Sequence, residues 1–301
     1  MQPISKVLTK VMQKRHIASD KKQLEKVVLS DPEIAAFLKR NVQLSQAQIQ
    51  SSMATLFAFH QQKEDLKAGK PFIEGYVPEL FLNGTVIDMS YKKTAEQKAV
   101  DQKRQVARRL QLIDLPESLR QADFKKIDVN DHDGRYDAIS AAASYAGGLS
   151  KSNRGFYLSG DFGVGKTYLL AAMANRLAQK GVNVIFFHVP TFIASLSDKI
   201  QKGTVQDEIM RLSHVSVLIL DDIGAETLSP WSRDDVLGVI LQQRMDNRLA
   251  TFFSSNMDMK RLEQHFQETR SATDPVKAKR LMERVNFLSR EIVVSGPNRR
   301  R

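Results

Sequence analysis

An eight-residue stretch, Gly160-Asp161-Phe162-Gly163-Val164-Gly165-Lys166-Thr167, restricts the possible folds of this chain more than any other part of its sequence. It fits the pattern GxxxxGK[ST], with strand-forming residues before it at 155–159 and a helical pattern after it at 167–180. In that context the glycines allow main-chain N–H groups to curl around an anion at the positive end of the helix. The stretch therefore predicts a phosphate-binding loop between a strand and a helix. The alternative is a glycine-rich turn that fits the pattern by chance.

Two further features fit the chemistry of a nucleoside triphosphate. In a loop of this kind Lys166 reaches the β- and γ-phosphates, and the hydroxyl group of Thr167 binds Mg²⁺. An apolar strand at 215–220 ends in Asp221 and Asp222, about 55 residues after the lysine. A strand beside the loop delivers its terminal carboxylate to the metal. We therefore predict Asp221 as the Mg²⁺ ligand and Asp222 as the base that orients and deprotonates the attacking water. The alternative is that two acidic residues simply cap the next turn.

The second half of the chain alternates between strand and helix patterns. Strands are predicted at 155–159, 182–189, 215–220, 250–254 and 292–294, and helices at 138–146, 167–180, 191–200, 205–213, 234–247 and 281–288. Such alternation predicts an α/β domain with a parallel sheet flanked by helices on both faces. Ligands of such sheets bind at the carboxyl ends of the strands. Asn256, which follows the strand at 250–254, is therefore a candidate to bind the γ-phosphate or the attacking water, and it also fits a turn residue.

The first part of the chain has a different character. Residues 1–70 are rich in Gln and Lys and repeat apolar residues at helical spacing. Asp31-Pro32-Glu33 is typical of a helix N-terminus, and Asn83-Gly84 between apolar runs indicates a β-hairpin. A charged helix is predicted at 94–110. We therefore predict a small, mainly helical N-terminal domain at 1–113, a linker or entrance segment at 114–135 and the α/β domain at 136–301.

Composition excludes several classes of protein. The chain has no cysteine, which excludes disulfides, thiolate zinc sites, iron–sulfur clusters and thiol catalysis. Its formal net charge is +11, of which residues 1–113 contribute +8 (19 basic against 11 acidic side chains), and this balance favours an anionic partner such as nucleic acid. No apolar run approaches the roughly 18 residues of a membrane span, and the N-terminus lacks the apolar core of a signal peptide. We expect a cytoplasmic protein with no membrane partner.

Two other classes of phosphate-loop protein fit the residues less well. A small-molecule kinase normally folds an arginine-bearing lid over its acceptor, and the sequence shows no arginine-rich insertion between the predicted strands. A binding module with an inactive loop does not need a full catalytic set. That set is present here as Lys166, Thr167, Asp221, Asp222 and Asn256. The residues therefore favour a Mg²⁺-dependent ATPase.

These motifs together resemble a known family. Residues 116–301 resemble the DnaC-type AAA+ ATPases, the bacterial replicative-helicase loaders that include the DnaI proteins. The resemblance rests on four stretches, supported by residues 119–124 at the entrance: the loop at 160–167, Leu220-Asp221-Asp222, Ser254-Ser255-Asn256 and Leu281-Met282-Glu283-Arg284. It implies a P-loop AAA+ ATPase domain with ATP and Mg²⁺ as cofactors.

The resemblance also implies roles for single residues. Residues 160–167 would be the Walker A motif, Asp221 and Asp222 the Walker B pair, and Asn256 the residue called sensor 1. Either Arg299 or Arg300 would be sensor 2.

Arg284 would be the arginine finger that reaches the nucleotide of a neighbouring subunit. The predicted helix at 281–288 places Leu281, Val285 and Leu288 on one face, so these should face the core. Arg284 lies about 100° from Val285 around the helix. We therefore expect its side chain to be free to project across an interface.

The function that the resemblance implies is the ATP-dependent loading of a hexameric replicative DNA helicase. Residues 1–113 would bind the helicase, and the ATPase domain would deliver it onto single-stranded DNA during primosome assembly and replication initiation or restart. Other primosome proteins and self-association in the ATP state are implied as well. The segment 191–212 corresponds to a helical insertion that binds single-stranded DNA. Lys199 and Lys202 are the predicted phosphate contacts there, and the alternative is that they are solvated helix ends.

One feature separates this chain from some members of the family. Some relatives hold a cysteine-rich zinc site in the N-terminal domain, which cannot exist here in its usual form. His16 and His60 are too isolated to rebuild it. The alternative function is that of an IstB-type transposase-helper ATPase acting on duplex DNA. The separate N-terminal domain with its hairpin favours the loader.

Overall fold

Two units of the chain build separate cores, and they divide between Asp101 and Gln102. A computed structural model describes residues 21–128, 134–148, 154–271 and 273–299. Within these ranges, no helix combines the length and the apolar character needed to cross a bilayer.

The first unit packs helices against a β-hairpin. Its elements are α1 (Lys21–Ser30), α2 (Pro32–Arg40), α3 (Gln46–Ser51), α4 (Met53–Lys67), β1 (Tyr76–Asn83) and β2 (Val86–Lys93). The predicted helix start is confirmed, since Asp31 caps α2 by accepting the N–H of Glu33 at 2.9 Å. The predicted hairpin is confirmed, and its two turn residues, Gly84 and Thr85, lie between the paired Asn83 and Val86. The N–H of Ile87 donates to Ser52 Oγ at 3.0 Å, which ties the hairpin to the helices.

His60 takes part in helix packing. Its Nδ1 lies 2.9 Å from Asp31 Oδ2. Burial by itself raises the pKa of Asp31, but the hydrogen bonds from His60 and Glu33 and the charge of Lys63 outweigh it and hold this pKa below its usual value. The described ranges contain no group of three or more His, Cys, Asp or Glu side chains arranged to hold a metal ion. His16 lies outside them.

The second unit is a six-stranded parallel sheet with helices on both faces. The sequence predicts the parallel sheet, the helices and five of the six strands of this unit. Its elements are the end of α5 (Ala95–Arg109), β3 (Leu110–Ile113), α6 (Tyr136–Gly147), β4 (Gly155–Ser159), α7 (Lys166–Gln179), β5 (Val184–His188), α8 (Val189–Gln201), α9 (Val205–His214), β6 (Val217–Asp221), α10 (Gly238–Asp246), β7 (Ala250–Ser255), α11 (Met259–Gln267), α12 (Pro275–Leu288) and β8 (Ser289–Val293). The strand order is β3-β5-β6-β7-β4-β8. Ile219 and Phe252 pack into the core on one face, and Leu218 and Phe253 into the core on the other. Burial on both faces explains why these strands read as continuous apolar runs.

The start of the second unit differs from the sequence prediction. The sequence places 102–113 in the N-terminal domain, whereas the structure assigns these residues to the second unit. There β3 forms the edge of the sheet, with Leu110 opposite Val184 of β5. Its four residues are too few to show a strand period. The predicted entrance segment that follows contains two 3₁₀ turns, Glu117–Gln121 and Phe124–Lys126.

Three helices also differ from the sequence prediction. The helix predicted at 234–247 begins with a π-helical turn, Ser232–Leu237, before α10. The nine-residue α11 is absent from the sequence prediction, although Met259, Leu262 and Phe266 recur at helical spacing and pack against the core. The last helix, α12, begins at Pro275 rather than at Leu281.

Candidate active site

The polar residues predicted from the motifs meet at the carboxyl edge of the sheet. The phosphate loop follows β4, Asp221 ends β6, and Asn256 follows β7. Neighbouring parallel strands end at the same edge, which brings these residues to one cleft of about 820 Å³. A cleft of this volume is typical of sites for small molecules.

Two glycines of the phosphate loop disfavour a side chain, Gly160 because of the close main chain and Gly163 because of its backbone conformation. A Cβ at Gly160 would lie 2.0 Å from the main-chain oxygen of Val294, and a Cβ at Gly163 would lie 2.0 Å from Asn298 Oδ1. Gly163 also has a φ of 80°, which favours glycine. Because α7 begins at Lys166, its unpaired N–H groups and the positive end of its dipole face the cleft.

The ammonium group of Lys166 is buried against this loop. Its Nζ donates to the main-chain oxygens of Gly160 at 2.6 Å and Asp161 at 2.9 Å, and to Asn256 Oδ1 at 2.8 Å. These contacts hold a positive charge where the loop can receive phosphate groups.

Thr167 and Asp221 form an oxygen-rich pair. The Thr167 hydroxyl donates to Asp221 Oδ1 at 2.9 Å, and the Ser254 hydroxyl donates to the same oxygen at 2.5 Å. Burial raises the pKa of Asp221, and the two hydrogen bonds oppose that rise. Hydroxyl and carboxylate oxygens are hard ligands, and P-loop proteins hold Mg²⁺ through these two groups together with the phosphates of the nucleotide. The donor set therefore fits Mg²⁺.

Asp222 is the more accessible of the two acidic residues. Asp221 is buried, whereas Asp222 is half-buried and lines the cleft. Its φ is 57°, in the left-handed region that Asp enters more readily than most residues. Its Oδ1 accepts from Asn256 Nδ2 at 2.8 Å, and its Oδ2 lies 3.8 Å from His188 Nε2. A carboxylate in this position can accept a proton from water in the cleft.

Asn256 joins the two opposite charges of the site. Its amide oxygen accepts from Lys166, and its amide nitrogen donates to Asp222. An amide satisfies both partners only in this orientation, because the ammonium is a donor and the carboxylate an acceptor. Asn256 therefore fixes the carboxylate of Asp222 relative to the ammonium group of Lys166.

His188, Ser254 and Arg135 are among the cleft residues to which the sequence analysis assigns no role. His188 ends β5, and its Nδ1 lies 2.7 Å from Thr191 Oγ1. Ser254 contacts both acidic residues, since it also accepts the N–H of Asp222 at 3.1 Å. Arg135 is buried in the lining before α6. A polar residue at the end of a strand is the signal by which His188 could have been found; the other two depend on long-range packing.

Residues 294–299 pass over the phosphate loop. The N–H of Arg299 donates to the main-chain oxygen of Gly163 at 2.9 Å, and Arg299 lines the cleft. Its Nη1 lies 3.9 Å from Asp128 Oδ2. Arg300 lies outside the described residues. Another part of the lining is apolar and suits a flat nucleobase: Leu115, Pro116, Leu119, Ile127 and Tyr168.

The guanidinium group of Arg284 is bound within its own chain. Its Nε donates to Gln242 Oε1 at 2.8 Å and its Nη1 to the main-chain oxygen of Gly238 at 2.9 Å, both on α10. Partial burial lowers the pKa of Arg284. The expectation of a side chain free to project is therefore wrong for this conformation. The residues predicted to face the core are buried: Leu281, Val285 and Leu288.

The two predicted DNA contacts differ in their surroundings. Lys199, near the end of α8, has its Nζ 3.9 Å from Glu208 Oε1 on α9, which partly compensates its charge. Lys202 is exposed just after α8 ends.

Comparison with known families divides the chain into two parts. The family profile described as "Primosomal protein DnaI N-terminus" matches residues 1–91, and the profile described as "IstB-like ATP binding protein" matches residues 85–300. The chain is similar to the replicative helicase loader DnaI of Bacillus subtilis, with 34% identity over 311 residues that cover 100% of this chain and 99% of that protein.

Solved structures give the same assignment of fold. A crystal structure of DnaI shares 39% sequence identity at a TM-score of 0.56, covering 66% of this chain and 99% of the other. The crystal structure of the DnaC helicase loader is 19% identical at a TM-score of 0.51, covering 60% of this chain and 100% of the other, and shares the fold alone. The predicted AAA+ P-loop fold is confirmed.

Proposed function

Because this chain belongs to the DnaI family, we propose that it is an ATP-dependent loader of the replicative DNA helicase. The observation that carries the ATPase part is the bridge from Lys166 through Asn256 to Asp222, beside the pair of Thr167 and Asp221. A candidate phosphate contact, a candidate metal pair and an accessible carboxylate lie at one edge of one sheet, which supports the proposal.

Asp222 is the proposed base for hydrolysis. With the β- and γ-phosphates of ATP at Lys166 and the loop N–H groups, the Asp222 carboxylate accepts a proton from a water molecule. The water oxygen forms a bond to the γ-phosphorus, the bond from that phosphorus to the β–γ bridging oxygen breaks, and ADP and phosphate leave. Mg²⁺ held by Thr167 and Asp221 would supply neutralisation of the charge on the phosphates.

Hydrolysis in this proposal acts as a switch. Contacts to the γ-phosphate hold subunits together, and their loss on hydrolysis frees the helicase. Arg284 takes part by exchanging its contacts with Gln242 and Gly238 for the nucleotide of a neighbouring copy. Self-association in the ATP state follows from this exchange.

The proposed partners divide between the two units. The first unit binds the hexameric helicase, and the second receives single-stranded DNA near Lys199 and Lys202. The net charge of +11 supports a nucleic-acid partner. Other primosome proteins would act with the chain in replication initiation or restart.

A transposase-helper ATPase of the IstB type is the second candidate, and the profile match at 85–300 favours it. The loader is the stronger candidate because the DnaI N-terminal profile covers 1–91 and the similarity to DnaI extends over the full chain.

Helicase capture distinguishes the two candidates. We expect immobilised full chain and residues 1–101 to retain a bacterial replicative helicase, and residues 102–301 to retain much less. Capture of duplex DNA by the full chain, with no helicase retained by the full chain or by residues 1–101, would favour the IstB-type role.

A further inference from the structure

A buried carboxylate near the proposed base has no part in the chemistry described above. Glu226 follows Asp222 by four positions, and its side chain is 0% exposed. Its Oε2 accepts the N–H of Gly224 at 2.8 Å. Its Oε1 faces His265 Nε2 of α11 at 3.7 Å, and neither of these two buried atoms has a hydrogen-bond partner within the described part of the chain.

The turn between these two acidic residues has an acceptor for each main-chain N–H. The N–H of Asp222 donates to Ser254 Oγ, that of Ile223 to the main-chain oxygen of Ser254 at 3.0 Å, and that of Ala225 to the oxygen of Asp222 at 3.2 Å. The N–H of Gly224 is the one that the Glu226 side chain satisfies. A buried N–H without an acceptor is costly, so the turn depends on this carboxylate.

The turn also has two residues with positive φ, of which only the glycine adopts such a conformation without cost. Gly224 has a φ of 95°, and Asp222, which has a side chain, has a φ of 57°. A non-glycine residue persists in the left-handed region when surrounding contacts fix it there. The conformation of Asp222 directs its carboxylate to Asn256 and into the cleft.

We propose that Glu226 is a positioning residue for the base: it holds the turn that aims Asp222 at the attacking water. The inference rests on the proposed ATPase function. Glu226 does not line the cleft, so it acts through the main chain of Gly224 and not on the nucleotide.

Two substitutions in the full chain separate the hydrogen bond from the rest of the residue. Glu226→Gln keeps an oxygen that can accept the Gly224 N–H, and we expect its kcat for ATP hydrolysis to stay within about threefold of the wild type. Glu226→Ala removes the acceptor, and kcat should fall by about tenfold to a hundredfold, because a misplacement of about 1 Å can cost that much. The Kd for ATP should change by less than about twofold, since the phosphate loop is untouched.

A second perturbation reaches the same turn from another residue. In Gly224→Ala the new Cβ would lie 2.9 Å from Leu262 Cδ1 at a φ that disfavours alanine, and we expect the same loss of kcat with unchanged Kd. Glu263→Ala on α11 is the matched control and should behave as wild type. Thermal unfolding of each variant, measured alongside, confirms that it is folded.

The outcomes distinguish this inference from the proposed function. Wild-type kcat in folded Glu226→Ala, with Asp222→Asn inactive, would overturn the positioning role and leave the base in place. A glutamine variant as slow as the alanine variant would also overturn it, as would equal losses in kcat and ATP affinity. Wild-type hydrolysis by Asp222→Asn would remove the base itself, and the positioning role with it.

Discussion

Asn256→Ala removes the amide that connects Lys166 to Asp222, the proposed base. Two hydrogen bonds of 2.8 Å disappear, one to Lys166 and one to Asp222. Lys166 keeps its contacts to the main-chain oxygens of Gly160 and Asp161, so the phosphate contact is retained. Asp222 loses the donor to its Oδ1. A hydrogen bond to a charged group contributes about 1.5–3 kcal/mol. If that stabilisation is lost in the transition state, kcat falls by about 10- to 150-fold.

Single-turnover hydrolysis at saturating ATP measures this loss, and binding of a fluorescent ATP analogue measures affinity separately. Asn247→Ala is the matched control, because its amide only donates to the main-chain oxygen of Gln243 outside the cleft. Asn256→Asp should be at least as slow as Asn256→Ala, since it sets a second carboxylate against Asp222. An unchanged kcat in Asn256→Ala would refute the role of the bridge in fixing the base. A loss confined to affinity would assign Asn256 to nucleotide binding.

Three further expectations concern Arg284, the pair of Lys199 and Lys202, and Asp31. Arg284→Ala should bind ATP but lose helicase- or DNA-stimulated hydrolysis, and mixing it with Lys166→Ala should restore part of the rate; mixtures that never exceed the sum of their parts would exclude a role in trans. The double variant Lys199→Glu/Lys202→Glu should bind single-stranded DNA more weakly and with a smaller salt dependence, while its ATP affinity stays constant. An unchanged DNA titration would show that the two lysines are solvated helix ends. The pKa of Asp31 lies below its unfolded value of about 3.9, so its stabilisation of the first unit is present above that pH and is lost as the pH falls through the folded-state pKa. The amide hydrogen exchange rates of α2 and α4 should then become equal in the wild type and in Asp31→Asn as the pH falls. A difference in exchange rate that stays constant with pH would contradict this.

The residues of the phosphate loop could be predicted because their geometry is local. Lys166 and Thr167 follow a glycine-rich loop directly, and the strand and helix that fix the loop are its immediate neighbours in sequence. Asp221 and Asp222 end an apolar strand, and that local pattern is enough to place them at the carboxyl edge of a parallel sheet.

The rest of the site depends on which strands are neighbours. Ser254 reaches Asp221 because β6 and β7 pair in register, with Leu220 opposite Phe253. Glu226 becomes an acceptor only when its turn folds back on Gly224. A single sequence contains the residues of such contacts but does not specify the pairing that brings them together.

Contacts between residues far apart in the chain also explain the two main differences between the sequence prediction and the structure. β3 is recognisable as a strand only through its pairing with β5, and its four residues show no period of their own. The contacts of Arg284 come from α10, more than forty positions earlier in the chain. Helical periodicity correctly predicts which face of α12 is buried but does not reveal those two acceptors.

Loading of helicase onto a single-stranded DNA circle tests the central claim most directly. The replicative helicase is mixed with the circle, ATP and either the wild-type chain or Lys166→Ala, and the helicase that remains on DNA after a high-salt wash is measured. We predict that the wild-type chain with ATP deposits helicase on the circle, and that Lys166→Ala, or the wild-type chain without ATP, deposits no more than helicase alone. Equal deposition with and without ATP, or by both proteins, would contradict an ATP-dependent loader.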